Sequence, residues 1–204
     1  MRIEKTRILL AFISLIIVVI LVGCDKNTNT INITEKIAEI DNNTNTRDET
    51  MKLTSPVFKN NEKIPSKYTC DGPGISPPLE ISNIPTKAKS LVLLVDDPDI
   101  PEVAKKNFNV EVWDHWIVFN IPITTTKIEE GKNPTGILGK NTRGNNSYGA
   151  PCPPDREHRY FFKLYALDKM LDLKEGSTKK DVETAMQGHI VEKVELIGRY
   201  ERTK

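Results

Sequence analysis

The chain has 204 residues, and its 29 Lys and Arg against 28 Asp and Glu give a net charge of +1. This balance excludes the basic stripe of a nucleic-acid-binding protein, and the 13 Pro and 11 Gly exclude a coiled coil or a fibre. The length predicts one domain, at most two. Three Cys are too few for a small disulfide-rich scaffold.

The first 23 residues have the pattern of a signal peptide. Arg2, Lys5 and Arg7 precede an apolar run over residues 8–22, which is shorter than the ~18 residues that a membrane span needs. The run ends at Gly23-Cys24 and resembles a prokaryotic lipobox, in which the Cys is lipidated and becomes the new N-terminus. We therefore predict a signal peptide over 1–23 and a lipid on Cys24, with an uncleaved signal anchor as the alternative.

Residues 24–50 are predicted to form a disordered tether. Residues 25–50 contain six Asn, six Thr and no aromatic residue, so they lack the apolar surface that would offset the entropy of ordering. A chain lipidated on Cys24 would be exported and held on the outer face of the cytoplasmic membrane by its lipid anchor alone.

Residues 51–204 are predicted to fold as one mainly-β domain. Short apolar or β-branched runs bounded by Pro, Gly and Asn predict strands over residues 51–58, 79–82, 90–95, 113–121, 158–167 and 196–200. One helix is predicted over 178–186, capped by Ser177 or Thr178, and a second, short helix over 190–195. Because strands outnumber helices and do not alternate with them, the fold predicted is an antiparallel β-sandwich with one or two peripheral C-terminal helices.

Polar residues follow the ends of several of these strands. Asp97 and Asp99 come directly after the apolar run at 90–95, in a turn stiffened by prolines. In the next strand, a period of two puts Trp113 and His115 on one face, and Asp114 and Trp116 on the other. Each of these features taken alone is also typical of an ordinary structural turn or strand.

Two further segments complete this pattern. The strand at 158–167 opens with His158 and Tyr160 on one face, while Arg159 points the other way as a partner for a carboxylate. The loop at 144–154 is dense in Pro and Gly and suits a stiff pocket wall. Together the segments predict one site, in which the two His and the Tyr donate hydrogen bonds to a phosphate-like anion and Asp97 or Asp99 orients an imidazole.

The order of these motifs resembles the prokaryotic branch of the phosphatidylethanolamine-binding protein family, which includes the Raf kinase inhibitor proteins. The resemblance rests on Asp97-Pro98-Asp99-x-Pro101, Trp113-x-His115-Trp116, the loop at 148–154 and His158-Arg159-Tyr160. It implies an antiparallel β-sandwich with a small anion pocket at one edge. The pocket residues that it implies are Asp97, Trp113, His115, His158 and Tyr160, with Pro153 or Pro154 beside them.

The loop departs from the family pattern at one residue, because Ala150 stands where a Gly usually precedes the first Pro. If this position required a positive φ, Ala150 would be strained. The implied fold also brings Cys70 and Cys152 near the pocket edge. There they form either a disulfide or two separate reduced thiols.

The function predicted is binding without catalysis, at a rigid pocket for a phosphate-bearing head group or a similar anion. The resemblance also implies a protein partner, a kinase or protease that the chain would inhibit. The alternative is a hydrolase in which His115, His158 and an Asp act as acid and base or hold a metal. No nucleophile or metal-binding motif supports it, so no cofactor or metal is predicted, and a homodimer is left open.

Overall fold

Residues 50–202 are described here from a computed structural model of the chain. The predicted signal peptide, Cys24 and the tether up to residue 49 lie outside the described residues. Within residues 50–202, no helix is long and apolar enough to span a bilayer.

Within residues 50–202, nine strands form two sheets. The small sheet has the order β1-β3-β6, and the large one β2-β9-β8-β4-β5-β7. All described pairings are antiparallel except that of β2 with β9, which is parallel. The strands are β1 (Lys52–Thr54), β2 (Glu62–Lys63), β3 (Leu79–Ser82), β4 (Ser90–Asp97), β5 (Trp113–Ile121), β6 (Lys127–Ile128), β7 (Ile137–Leu138), β8 (His158–Leu167) and β9 (Ile190–Tyr200).

The main core lies between the two sheets. Leu53 and Ile81 of the small sheet share it with Leu93, Trp116 and other residues of the large sheet. All eight residues of β4 are buried, because alternate side chains enter this core and a second core on the opposite face. The continuous apolar run of β4 reflects this two-sided burial, and the mainly-β sandwich predicted from the sequence is confirmed.

In the described part of the chain two α-helices accompany the sheets, α1 (Glu102–Phe108) and α2 (Lys179–Ala185). Helix α2 begins at a capping box, in which the Thr178 hydroxyl accepts from the Asp181 backbone N–H and the Asp181 carboxylate accepts from the Thr178 N–H. It covers the second core with Val182 and Met186. This is the helix predicted over 178–186.

The second predicted helix, over 190–195, is wrong. These residues open β9, which pairs with β8 from Ile190 opposite Leu167 to Tyr200 opposite His158. The long partner strand supplies a continuous hydrogen-bond ladder, and this ladder outweighs the weak helical spacing of a few apolar residues. The second helix is instead α1, which lies between β4 and β5 and not at the C-terminus.

Candidate ligand-binding site

A cavity of about 230 Å³ opens where β4, β5 and β8 meet α1 and the Pro-rich loop. Its lining combines three polar side chains of the strands with an apolar rim and one cation. The lining residues are Asp97, Ile100, Pro101, Ala104, Phe108, Trp113, His115, Arg143, Ala150, Cys152, Pro153, Pro154 and His158. Of the predicted site residues, Asp97, Trp113, His115, Pro153 and His158 therefore meet at one place.

A β-bulge in β5 aims His115 at the cavity. Val95 of β4 lies opposite Trp116 and Asp96 lies opposite Asp114, so His115 is the extra residue between these pairs. As a result Trp116 lies in the core between the sheets, while Asp114 lies on the other face, 3.4 Å from the Lys179 ammonium. The predicted alternation, which put Asp114 and Trp116 on one face, is therefore wrong.

The loop fixes the orientation of the His115 ring. His115 Nδ1 lies 2.6 Å from the Gly149 carbonyl oxygen, and the Gly149 N–H donates to the His115 carbonyl at 2.7 Å. A carbonyl only accepts, so Nδ1 carries the proton. Burial lowers the pKa of His115, although the bond to Gly149 and the charge of Asp97 oppose this shift. The ring is thus neutral, and its Nε2, buried and without a partner among residues 50–202, is a hydrogen-bond acceptor.

Tyr160 lies behind the cavity wall. It is fully buried, and its ring packs edge-on against His115 with the ring centroids 5.2 Å apart. Its hydroxyl also has no hydrogen-bond partner among the described residues. Burial raises the pKa of Tyr160, with the charge of Asp97 acting in the same direction, so the hydroxyl keeps its proton.

His158 is held between two carboxylates. Its Nδ1 lies 2.7 Å from Asp97 Oδ2, and its Nε2 lies 2.8 Å from Asp155 Oδ1. Burial lowers the pKa of His158, but the hydrogen bonds and charges of Asp97 and Asp155 outweigh it, and the net shift is upward. In this arrangement both nitrogens are bonded. The expectation that both His donate to an anion is therefore not met by the structure as it stands.

Asp99 does not line the cavity. Its carboxylate pairs with the Arg159 guanidinium through two hydrogen bonds of 2.8 Å. The hydrogen bonds to Arg159 hold the pKa of Asp99 below its usual range, against the opposing effect of burial. The backbone N–H of Asp99 donates to Asp97 Oδ1 at 2.8 Å. Asp97 is therefore the aspartate that orients an imidazole, and Asp99 stiffens the turn that holds it.

The Pro-rich loop is fastened to the segment around residue 70. Cys70 and Cys152 form a disulfide with their Cα atoms 5.3 Å apart, within the range such bonds need. The Cys70 N–H donates to the Pro151 carbonyl, and the Tyr148 hydroxyl donates to the Tyr68 carbonyl. Ala150 is not among the described residues with positive φ, so the departure from the family pattern causes no strain there.

Sequence reasoning missed two parts of the site. Helix α1 supplies Ala104 and Phe108 to the rim, and Phe108 packs edge-on against Trp113 with the ring centroids 4.7 Å apart. Arg143 places its guanidinium over the Trp113 ring, 5.5 Å from the centroid, and none of the ion pairs within residues 50–202 involves it. An arginine two residues before the Asn145-Asn146 pair carries no motif that would single it out. Within the same residues, no group of three or more His, Cys, Asp or Glu is arranged to hold a metal ion.

A sequence profile described as phosphatidylethanolamine-binding protein matches residues 54–201. The chain belongs to this family. A relative named UPF0098 protein, from Methanothermobacter thermautotrophicus, is 48% identical over 158 residues, which cover 74% of this chain and 99% of the relative. The profile match at residues 54–201 includes strands β2 to β9, the Pro-rich loop and both α-helices, so it covers the whole candidate site.

Two solved structures of the phosphatidylethanolamine-binding protein family resemble this one. A family homologue from Chlamydia trachomatis has a TM-score of 0.72 at 46% identity, covering 76% of this chain and 99% of that one. Escherichia coli YbcL, described as a member of the mammalian family, has a TM-score of 0.67 at 30% identity, covering 75% and 99%. The family and its fold, both expected from the sequence motifs, are confirmed.

Proposed function

We propose that this chain is a binding protein whose cavity holds the phosphate group of a small ligand or lipid head group. The observation that carries the proposal is a pair of buried polar atoms without partners among the described residues: His115 Nε2, on a ring that lines the cavity, and the hydroxyl of Tyr160, whose ring packs against His115. Buried polar atoms nearly always have hydrogen-bond partners. Two such atoms on adjacent rings, next to a cavity, indicate that a ligand completes their bonding.

The two atoms are complementary to a hydrogen phosphate group. Neutral His115 accepts through Nε2, and the protonated Tyr160 hydroxyl donates. A phosphate monoester that keeps one proton offers an O–H to the first atom and an anionic oxygen to the second. Arg143, at the mouth of the cavity, adds a cation whose attraction for phosphate is not shared with any ion pair among the described residues.

The size and rim of the cavity favour a head group over a whole lipid. A volume of about 230 Å³ lies below the ~300 Å³ at which drug-sized ligands begin to fit. Trp113, Phe108 and Ile100 make the rim apolar, so the part of the ligand beyond the phosphate meets carbon atoms. The name of the family points to phosphoethanolamine as the first head group to test.

Binding without catalysis is part of the proposal. Both nitrogens of His158 are engaged by carboxylates, so this ring cannot move a proton without breaking an ion pair. That leaves one imidazole nitrogen, on His115, where a hydrolase with paired acid and base needs two groups. The inhibition of a partner kinase or protease, implied by the resemblance, stays a prediction.

The test is calorimetric titration of the full-length protein with O-phosphoethanolamine and with inorganic phosphate. Tyr160→Phe removes only the hydroxyl, and we expect it to weaken binding about tenfold or more, the loss of one hydrogen bond to a charged group. Tyr165→Phe is the matched control, because Tyr165 lies on the same strand with its ring in the second core. Equal affinities in both variants would remove Tyr160 from the site, and no binding by the wild type would reject the proposal.

We also propose that Cys24 anchors the chain to the outer face of the cytoplasmic membrane. The support is the sequence of residues 1–50 alone. Cys24→Ser should move the protein from the membrane fraction to the soluble exported fraction, or leave it unprocessed, on fractionation of host cells. A variant protein that still partitions with membranes after processing would contradict the lipid anchor.

A further inference from the structure

The imidazole of His158 offers no donor to a ligand while Asp155 is in place. A carboxylate only accepts hydrogen bonds, so with Asp97 on Nδ1 and Asp155 on Nε2 both ring nitrogens carry protons and both are used. His158 itself is fully buried and lines the cavity. The positive charge nearest the cavity floor is therefore already neutralised from two sides.

The two carboxylates differ in how firmly they are held. Asp97 is 3% exposed, its Oδ1 accepts the Asp99 backbone N–H, and it belongs to the central strand β4. The Asp155 side chain is 40% exposed and lies in the bend before β8. Its other oxygen meets the guanidinium of Arg156, which is 58% exposed. Asp155 can therefore rotate into water at little cost, whereas Asp97 cannot.

Asp155 also adjoins the lining of the cavity, in sequence and through His158. It follows Pro153 and Pro154, which line the cavity, and it bonds the one nitrogen of His158 that no strand residue holds. An oxyanion at this nitrogen would form a charge-assisted hydrogen bond with a buried imidazolium, one of the stronger polar contacts a protein makes. The carboxylate of Asp155 now makes that contact.

We propose that Asp155 is an internal competitor that occupies the place of the ligand's anionic oxygen and limits the affinity of the site. This inference rests on the proposed function. A ligand oxyanion displaces Asp155 from His158 Nε2, and the released carboxylate remains paired with Arg156 in water. Because every ligand must displace the same carboxylate, its removal strengthens the binding of all oxyanions by one common factor.

The experiment compares Asp155→Asn with Glu157→Gln in the full-length protein. Both variants remove one carboxylate charge from the same bend, but Glu157 pairs with Arg199 at 3.5 Å and does not touch His158. Inorganic phosphate and acetate are titrated separately against each variant and the wild type, and NMR shifts report dissociation constants down to weak binding. Asp155→Ala, checked for an unchanged melting temperature, serves as a second variant.

We expect Asp155→Asn to bind phosphate and acetate each about fivefold more tightly than the wild type, since a half-exposed ion pair contributes little more than this factor. Glu157→Gln should change neither. Weaker binding in Asp155→Asn, an equal gain in Glu157→Gln, or a gain that scales with the charge of the probe would overturn the inference while leaving the proposed pocket intact. Absence of binding in the wild type and in both Asp155 variants would reject the pocket itself, and the inference with it.

Discussion

Strand β4 ends in two consecutive aspartates that are equally buried but face opposite sides of the large sheet. Asp96 lies under α2, with its Oδ2 2.7 Å from both the Lys163 and the Lys179 ammonium. Asp97 lies at the cavity, 2.7 Å from His158. Asp96 is 0% exposed and Asp97 3%, so burial does not distinguish them.

The two aspartates differ in the side chains that they pair with, and only Asp97 lines the cavity. Burial lowers the pKa of Lys179, but the charge of Asp96 outweighs it and the net shift is upward, so the Lys179 ammonium keeps its charge near neutral pH. The pKa of His158 is raised from an ordinary value of 6.5, which lies much nearer to neutrality than the ordinary pKa of a lysine. An oxygen without a partner occurs on both faces, since Asp96 Oδ1 has none among the described residues. A buried, unpartnered polar atom therefore points to a ligand only where a cavity lies beside it.

The first test that distinguishes the two faces of the large sheet is removal of the disulfide, which lies on the cavity face. Replacing Cys70 and Cys152 together by Ser should lower the free energy of unfolding by about 4 kcal/mol in the chain-entropy model, because the bond joins residues 82 apart in sequence. Urea denaturation measures this loss, with Cys24→Ser as the control. An unchanged midpoint in the double variant would show that the non-covalent contacts of the loop suffice.

On the opposite face of the sheet, under α2, the corresponding test removes Asp96 from its cluster with Lys163 and Lys179. Asp96→Ala leaves the Lys179 ammonium, 12% exposed, without its closest partner, and we expect a loss of about 3 kcal/mol of unfolding free energy. Urea denaturation again provides the measurement. Phosphate affinity should stay unchanged, since the cluster lies on the far side of the sheet. A variant that unfolds with the wild-type midpoint would contradict this assignment.

Only the cavity face should respond to pH near neutrality. The pKa of His158 is raised in the folded protein above its ordinary value of 6.5, so its pairs contribute fully below that value and are lost as the pH rises through the raised pKa. The unfolding free energy should therefore decline over this window. His158→Gln should flatten the decline, whereas Asp96→Ala should keep it. If the unfolding free energies of the wild type and of His158→Gln depended on pH in the same way, His158 would not be the cause of the decline.

The smallest effect is expected at the exposed pair of Asp99 and Arg159. Arg159 is 50% exposed, so Arg159→Ala should cost less than about 1 kcal/mol of unfolding free energy. Phosphate binding should remain at the wild-type level, because this pair points away from the cavity. A large drop in phosphate affinity would return Asp99 to the list of ligand-binding residues.

The sequence was most informative for two long strands of the large sheet. The strands at 113–121 and 158–167 were predicted with the bounds that the structure has, because aromatic and other apolar residues dominate both runs. Helix α1 gave no such signal, since it has only seven residues and none of them is buried. Its proline start and its end at Asn109, with φ of 52°, were the local cues available.

Within the site, the residues could be predicted but their bonding could not. The motifs brought Asp97, His115 and His158 together correctly. The bulge at His115 depends on the pairing of β5 with β4, and alternation within one strand cannot show it. Asp155 lies only three residues before His158, yet its carboxylate reaches the ring because the chain bends there, which no periodicity encodes.

The parallel pairing of β2 with β9 has a consequence for the synthesis of the protein. Glu62 lies opposite Gly198, and Lys63 lies opposite Arg199. Strand β2 is made early in translation, but it can pair only after β9 has been made. The same late strand forms the full ladder with β8. Until residue 200 has left the ribosome, β8 keeps an open edge and β2 has no neighbour. The large sheet therefore closes only once β9 has been made, whatever has folded before it.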